Sequence, residues 1–288
     1  MILNVAGKFF EAAGIGDSPV LRQMPSLKLF EAAGAVDPSQ LMRVRFGCEV
    51  KCDVGRGPAE EALYDFETEG VRSVFGRAGE DYLFRMEEDG RQLLAMRKRR
   101  GVEPIEATMP EGVTALRFGL WMAFNLAAVE CGVAAVHSSV VVHEGRAVLF
   151  LGESGTGKST HTGLWLKNIE GSWLLNDDSP FIAVEDGQAV VYGSPWSGKT
   201  PCYRTERVPV AGIVRLSQAP RNRIVRLSPV AAFGALYPSL PPAFAYDEYL
   251  TDKVCALISA VLETVPVYHL ECLPDRAAAE LSHRTVLG

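Results

Sequence analysis

The 288-residue chain contains no run of 18 apolar residues, so no segment has the length of a membrane-spanning helix. It has no Cys-x-x-Cys pair. Its six cysteines, Cys48, Cys52, Cys131, Cys202, Cys255 and Cys272, are scattered, which argues against a zinc ribbon, a dithiol redox site or a disulfide framework. Cys48 and Cys52 lie four apart in a β-type segment, where they would share a strand face without further ligands. Positive charge is not in excess: 29 Lys plus Arg against 35 Asp plus Glu leave a net −6, which gives no general attraction to nucleic acid or an anionic membrane. The one basic run, Arg97-Lys98-Arg99-Arg100, reads as a solvated strand end, with a docking patch for an acidic partner as the alternative. The opening Met-Ile-Leu-Asn-Val-Ala-Gly lacks the basic and apolar regions of an export signal, so the expected location is the cytoplasm. Phe-Glu-Ala-Ala-Gly occurs at Phe10–Gly14 and Phe30–Gly34, but nothing around it repeats.

What is present is ordinary globular material, 48% hydrophobic and 22% charged, enough for one large or two modest domains. Residues 1–105 read as a β-rich region, with strands at Arg43–Lys51, Ala62–Thr68, Ser73–Gly76, Tyr82–Glu87 and Gln92–Met96. Gly55-Arg56-Gly57-Pro58 and Asp89-Gly90 supply turns. Residues 106–288 form the second expected domain. Gly101–Pro110 serves as linker, and Val113–Cys131 is a helix apolar on several faces, hence buried. Val136–Val142 and Ala147–Leu151 flank the turn His143-Glu144-Gly145 as an antiparallel hairpin. Near the end, Tyr249–Glu263 reads as a helix and Val265–Leu270 as a strand that could serve in self-association.

That hairpin runs straight into Gly152-Glu153-Ser154-Gly155-Thr156-Gly157-Lys158-Ser159, a G-x-x-x-x-G-K-[ST] phosphate loop between a strand and a helix. The backbone from Gly152 through Ser154, Gly155, Thr156 and Gly157 to Thr160 can turn successive N–H groups onto phosphate oxygens. Lys158 adds a point charge, Ser159 a hydroxyl for Mg²⁺, and the helix its positive dipole end. The bland alternative is a glycine-rich turn. Nineteen residues beyond Lys158, the strand Trp173-Leu174-Leu175 ends in Asn176-Asp177-Asp178. Paired carboxylates beside phosphates can hold Mg²⁺ and accept a proton, although Asp-Asp alone is common in turns. His137 begins the first hairpin strand; it is either a satisfied core histidine or a group that orients Asp178. In the stretch Tyr192–Arg204, Lys199 and Arg204 are candidates to steady a phosphoryl group and Trp196 to stack on substrate, against a surface loop with one aromatic tucked inward.

The order of these elements resembles the C-terminal domain of HPr kinase/phosphorylase and, more remotely, the nucleotide domain of phosphoenolpyruvate carboxykinases. The matching pieces are Val136-His137-Ser138-Ser139-Val140, Gly152–Thr160 and Leu175-Asn176-Asp177-Asp178. The resemblance implies a mixed, largely antiparallel α/β sheet domain of the phosphate-loop kinase type behind the β-rich region. It further implies ATP and Mg²⁺ as cofactors, Asp177 as metal ligand, Asp178 as catalytic base and His137 as its assistant. Downstream, Arg207-Val208-Pro209-Val210-Ala211-Gly212-Ile213-Val214 departs from the family's acidic residue and arginine before Gly-Leu-Gly, which points to an acceptor other than HPr.

The expected function is ATP/Mg²⁺-dependent phosphoryl transfer to a hydroxyl acceptor, a protein or peptide serine or a small molecule. The alternative is a nucleotide-binding regulator or slow ATPase, in which nucleotide orders residues 193–204. Nucleotide and acceptor are the expected partners, with a homo-oligomer possible and no nucleic acid or membrane.

Overall fold

The computed structural model describes all residues except Asp17, Gly57–Ala59, Glu69 and Lys199. Chain contacts divide it into two compact units, Met1–Cys131 with Pro242–Glu248, and Gly132–Pro241 with Tyr249–Gly288. The division falls later than the expected break at residue 105, because the long helix packs with the first unit.

The first unit is a mixed eight-stranded sheet. Its strands are β1 (Ile2–Val5), β2 (Lys8–Ala13), β3 (Leu41–Arg45), β4 (Glu61–Thr68), β5 (Val71–Ala78), β6 (Asp81–Glu88), β7 (Arg91–Lys98) and β8 (Ile105–Ala107), in the spatial order β1-β2-β3-β8-β7-β6-β5-β4. β3 stops at Arg45, short of the expected Lys51, because Gly47 turns the chain at φ 80°. Cys48 and Cys52 therefore lie beyond the strand, and burial raises the Cys52 thiol to about 11. One face packs on helix α1 (Val113–Ala128), where Phe124 meets Phe10 edge-on with ring centroids 5.5 Å apart. The other face buries Val74, Leu83 and Ala95 under Cys52 and Val54. The basic run 97–100 closes β7, and each of its residues faces a carboxylate: Arg97 with Asp81, Lys98 with Glu103, Arg99 with Glu106 and Arg100 with Glu80. Lys98 itself is buried.

The second unit is also mixed α/β. Its strands are β9 (Ala134–Ala135), β10 (Ser138–His143), β11 (Arg146–Leu151), β12 (Trp173–Asp178), β13 (Phe181–Glu185), β14 (Gln188–Tyr192), β15 (Arg207–Gln218), β16 (Arg223–Arg226) and β17 (Val267–Cys272). The main path runs β12-β10-β11-β15-β14-β13-β9, with β17 pairing β15 and β16. β10 and β11 form the expected antiparallel hairpin, while β11 lies parallel to β15, and β15 to β17. The helices are α2 (Lys158–Asn168), α3 (Pro229–Leu236), α4 (Glu248–Thr264) and α5 (Arg276–Leu287). In α4, Leu250, Val254, Leu257, Ile258 and Val261 recur at helical spacing and are buried. Among the described residues, no helix is long and apolar enough to cross a membrane.

Helices α2 and α5 meet over a core of Val141, Val148, Phe150, Trp165, Val214 and Leu270. A polar knot within it is Ser282 of α5, whose hydroxyl lies 2.9 Å from Trp165 Nε1 and 3.0 Å from His161 Nε2. The hydroxyl donates to the Ala278 and Ala279 carbonyls, so its lone pairs accept from the indole and from a neutral His161. Burial drops His161 to about 4, whereas an unfolded histidine titrates near 6.5. The unfolded chain thus binds the extra proton between those values, and stability falls as pH falls through that window. We expect denaturant unfolding of the wild type to lose about 2 kcal/mol more than His161→Gln between pH 7 and pH 5. Equal losses would sink the assignment of a buried neutral imidazole.

Candidate functional site

Three neighbouring strand ends build the site. β10 lies between β11 and β12, with Ser138 opposite both Leu151 and Asp178, and Ser139 opposite Asp177. That register brings the start of the glycine loop after Leu151, the two aspartates ending β12 and His137, one residue before β10, to the same edge. His137 is fixed there by its own N–H, which donates to the Ser239 carbonyl at 2.6 Å.

The loop 152–157 returns into α2 through Gly157 at φ 107°, a left-handed conformation suited to glycine. No side chain caps α2, so its first-turn amides at Lys158, Ser159 and Thr160 open the positive end of the helix. The Thr156 hydroxyl closes the turn by donating to the Glu153 carbonyl at 2.7 Å, and Ser154 lies exposed at its crest. Lys158 Nζ donates to the Gly152 carbonyl at 2.7 Å and the Glu153 carbonyl at 3.3 Å, and it lies 2.9 Å from His137 Nε2. Burial pulls the Lys158 ammonium below its ordinary range, opposed by the charges of Asp178 and Asp177.

An ammonium has only donors, so His137 Nε2 accepts and the ring proton belongs on Nδ1. Nδ1 lies 3.3 Å from Asp178 Oδ1. On the other side, the Ser159 hydroxyl donates to Asp177 Oδ1 at 3.0 Å. Ser139 donates to Thr162 Oγ1 at 3.0 Å, and Thr162 lies 3.1 Å from the Ser159 carbonyl, tying the helix start to the strand that pairs with the aspartates. Asp177 is nearly buried, while about a third of the Asp178 side chain is exposed. Chemically, the edge offers an ammonium, uncapped amides, a hydroxyl–carboxylate pair and an accessible carboxylate held by a histidine.

The loop after β14 lies against the end of β12. Gly198 N–H donates to the Asp177 carbonyl at 2.8 Å, and a Cβ at Gly198 would stand 2.8 Å from that oxygen and 3.2 Å from Asp178 Cβ. Asn176, wholly buried, organises this loop: its amide nitrogen lies 3.0 Å from the Trp196 carbonyl and 3.3 Å from Ser194 Oγ, while its oxygen accepts Ser179 N–H at 2.9 Å. Trp196 is 2% exposed and meets Phe181 edge-on at 5.8 Å, so it anchors the loop in the core and offers no face for stacking. Arg204 stacks 4.8 Å above Trp173, the first residue of β12, and lies 3.5 Å from Glu206. Five residues of strand, about 16 Å, separate Trp173 from Asp178, so Arg204 attends the far end of β12 and not the loop. Lys199 lies outside the described residues.

The arginine that does stand at the loop is Arg215. It pairs with Leu151 in the parallel register of β15 and lies 3.9 Å from the Glu153 carboxylate. One arginine in a long strand carries no motif, and only the sheet register distinguishes it. Asn176 was hidden for the same reason, reading as a mere companion of the two aspartates.

Magnesium needs few protein ligands when phosphate supplies the rest, and the Ser159–Asp177 oxygen pair fits that demand. Among the described residues, no group of three or more His, Cys, Asp or Glu makes a cage for a tightly held metal.

No family profile matches the chain, and no curated protein does. Among solved structures it is similar to the HPr(Ser) kinase/phosphatase from Coxiella burnetii, with 14% identity over 53% of this chain and 93% of that one, and a TM-score of 0.30.

Replacing Asn176 by leucine keeps the branched side-chain skeleton, removes its hydrogen-bonding atoms and strands the Ser179 N–H and the loop carbonyls. We expect Asn176→Leu to lower the unfolding free energy by about 3 kcal/mol in denaturant titrations. A loss below about 1 kcal/mol would mean the loop is held by something else.

Proposed function

We propose that the chain is a kinase that uses Mg²⁺ and a nucleoside triphosphate to phosphorylate a hydroxyl. The observation that carries this reading is the convergence of Lys158, Ser159, Asp177, Asp178 and His137 on one sheet edge. The uncapped amides of the loop and α2 receive phosphate oxygens, and Lys158 exchanges its carbonyl partners for them. Ser159 and Asp177 hold Mg²⁺, which when bound neutralises charge on the phosphates. Asp178 takes the proton of the attacking hydroxyl as the new oxygen–phosphorus bond forms and the bond from the γ-phosphorus to the departing nucleoside diphosphate breaks. His137, donating from Nδ1, keeps the Asp178 carboxylate aimed. Arg215 adds a second cation beside the loop.

The test is transfer from γ-labelled ATP with Mg²⁺ into pools of peptides, small carrier proteins and hydroxylated metabolites. We expect one acceptor class to be labelled. Asp178→Asn should slow labelling by 10²–10⁴-fold with little change in nucleotide affinity, while Lys158→Ala should lose nucleotide binding. Tight nucleotide binding with no acceptor labelled would shift the assignment to a nucleotide-responsive regulator.

A further inference from the structure

Beside the glycine loop the second unit opens a cleft of about 490 Å³ that none of His137, Asp177 and Asp178 lines. One wall is the loop backbone at 155–157 with Thr160 and Leu164 from the first turns of α2. The facing wall is the end of β15, with Leu216, Gln218 and Ala219, and the turn that leaves β17 at 272–274. Leu164, Leu216, Leu273 and Pro274 give the cleft apolar flanks, and no charged side chain lines it.

The second wall is braced from behind. Asn222 accepts the Leu273 N–H at 2.8 Å and donates to Asp275 Oδ1 at 2.9 Å; the same oxygen caps α5 by accepting the Ala278 N–H at 2.9 Å. Ala219 N–H donates to the Cys272 carbonyl at 3.1 Å, joining the two segments. At the loop end of the cleft, the Gln218 amide reaches to 3.4 Å from the Gly155 carbonyl. That bond is long, and the exposed carboxamide is easily released to another partner.

Resting on the phosphate-loop reading of this site, we infer that this cleft seats the base of the nucleotide and selects adenine, with Gln218 as the reading residue. A planar, uncharged base fits between apolar flanks in a cleft of ordinary ligand size. The cleft adjoins Thr160 and the loop glycines, so a base held there has its phosphates within reach of the α2 amides. A glutamine amide supplies one donor and one acceptor side by side, the pair that matches the amino group and ring nitrogen of adenine. The cationic side chains that read guanine at its oxygen and ring nitrogen in nucleic-acid grooves have no counterpart in the cleft lining, where His161 is neutral and engaged with Ser282.

Calorimetric titration of the full chain with Mg-ATP, Mg-GTP and inorganic tripolyphosphate tests this. The wild type should favour ATP over GTP by about tenfold or more. Gln218→Leu should collapse that preference while leaving tripolyphosphate affinity unchanged. Ala219→Trp, which fills the cleft, should reduce ATP to the affinity of tripolyphosphate; retained tripolyphosphate binding shows that each variant is folded. Equal binding of ATP and GTP, with tripolyphosphate bound and neither variant changing the ratios, overturns the adenine seat and leaves the phosphate-loop reading standing. A wild type that binds none of the three overturns that reading and the seat with it.

Discussion

The candidate site depends on one constraint, the register of β10 between its two neighbours. Ser138 sits opposite Leu151 on one side and Asp178 on the other, so the start of β10 and the ends of β11 and β12 lie at a common level. Side chains alternate along a strand, and a slip of one residue would send each to the opposite face. The same alternation divides the labour of the two aspartates. Adjacent in β12, they point to opposite sides, Asp177 toward Ser159 and Asp178 toward His137. Sequence adjacency thus produces two carboxylates in different surroundings with no further machinery.

Burial falls off along β12. Asn176 is wholly enclosed, Asp177 nearly so, and Asp178 reaches solvent. The enclosed amide is fully engaged in holding a loop, the next side chain meets a hydroxyl, and the outermost is accessible to a reactant. Such a gradient lets a rigid core set the position of groups that must still touch solute. Lys158 stands at the transition, with a desolvated ammonium whose partners in this state are two carbonyls of its own loop and an imidazole. Carbonyls are weaker partners for a cation than a phosphate oxyanion, so the lysine is held in place without being saturated.

Much of this was legible in the sequence, because the informative features are local. The glycine spacing of 152–159, the hairpin feeding it and the Asp-Asp strand end are each contiguous, and the hairpin and helix α4 lie where periodicity puts them. What escaped are the features that depend on contacts between distant segments. Trp196 sits in a loop of turn residues and reads either as a stacking face or as an aromatic tucked inward; contacts with Phe181 and the Asn176 amide draw it into the core. Arg204 and Arg215 are indistinguishable as text; sheet register alone sends one to the far end of β12 and the other to the loop. β1 has only four residues, and β2, Lys8-Phe9-Phe10-Glu11-Ala12-Ala13, lacks apolar–polar alternation, so neither announced itself. The later break between units reflects α1, whose apolar circumference announced burial without saying against what.

The first unit is not a continuous stretch of chain. Residues Pro242–Glu248 return to it, and within them Asp247 accepts the Tyr82 hydroxyl at 2.8 Å while Phe244 stands 6.4 Å from Phe75. During synthesis, more than a hundred residues follow Cys131 before that segment emerges. At translation rates of roughly 5–20 residues per second, the delay is on the order of ten seconds. For that interval a Tyr82 that is buried in the finished fold waits without its carboxylate. The N-terminal sheet therefore matures only after most of the second unit has left the ribosome, and the two units are bound to a common schedule although each has its own core.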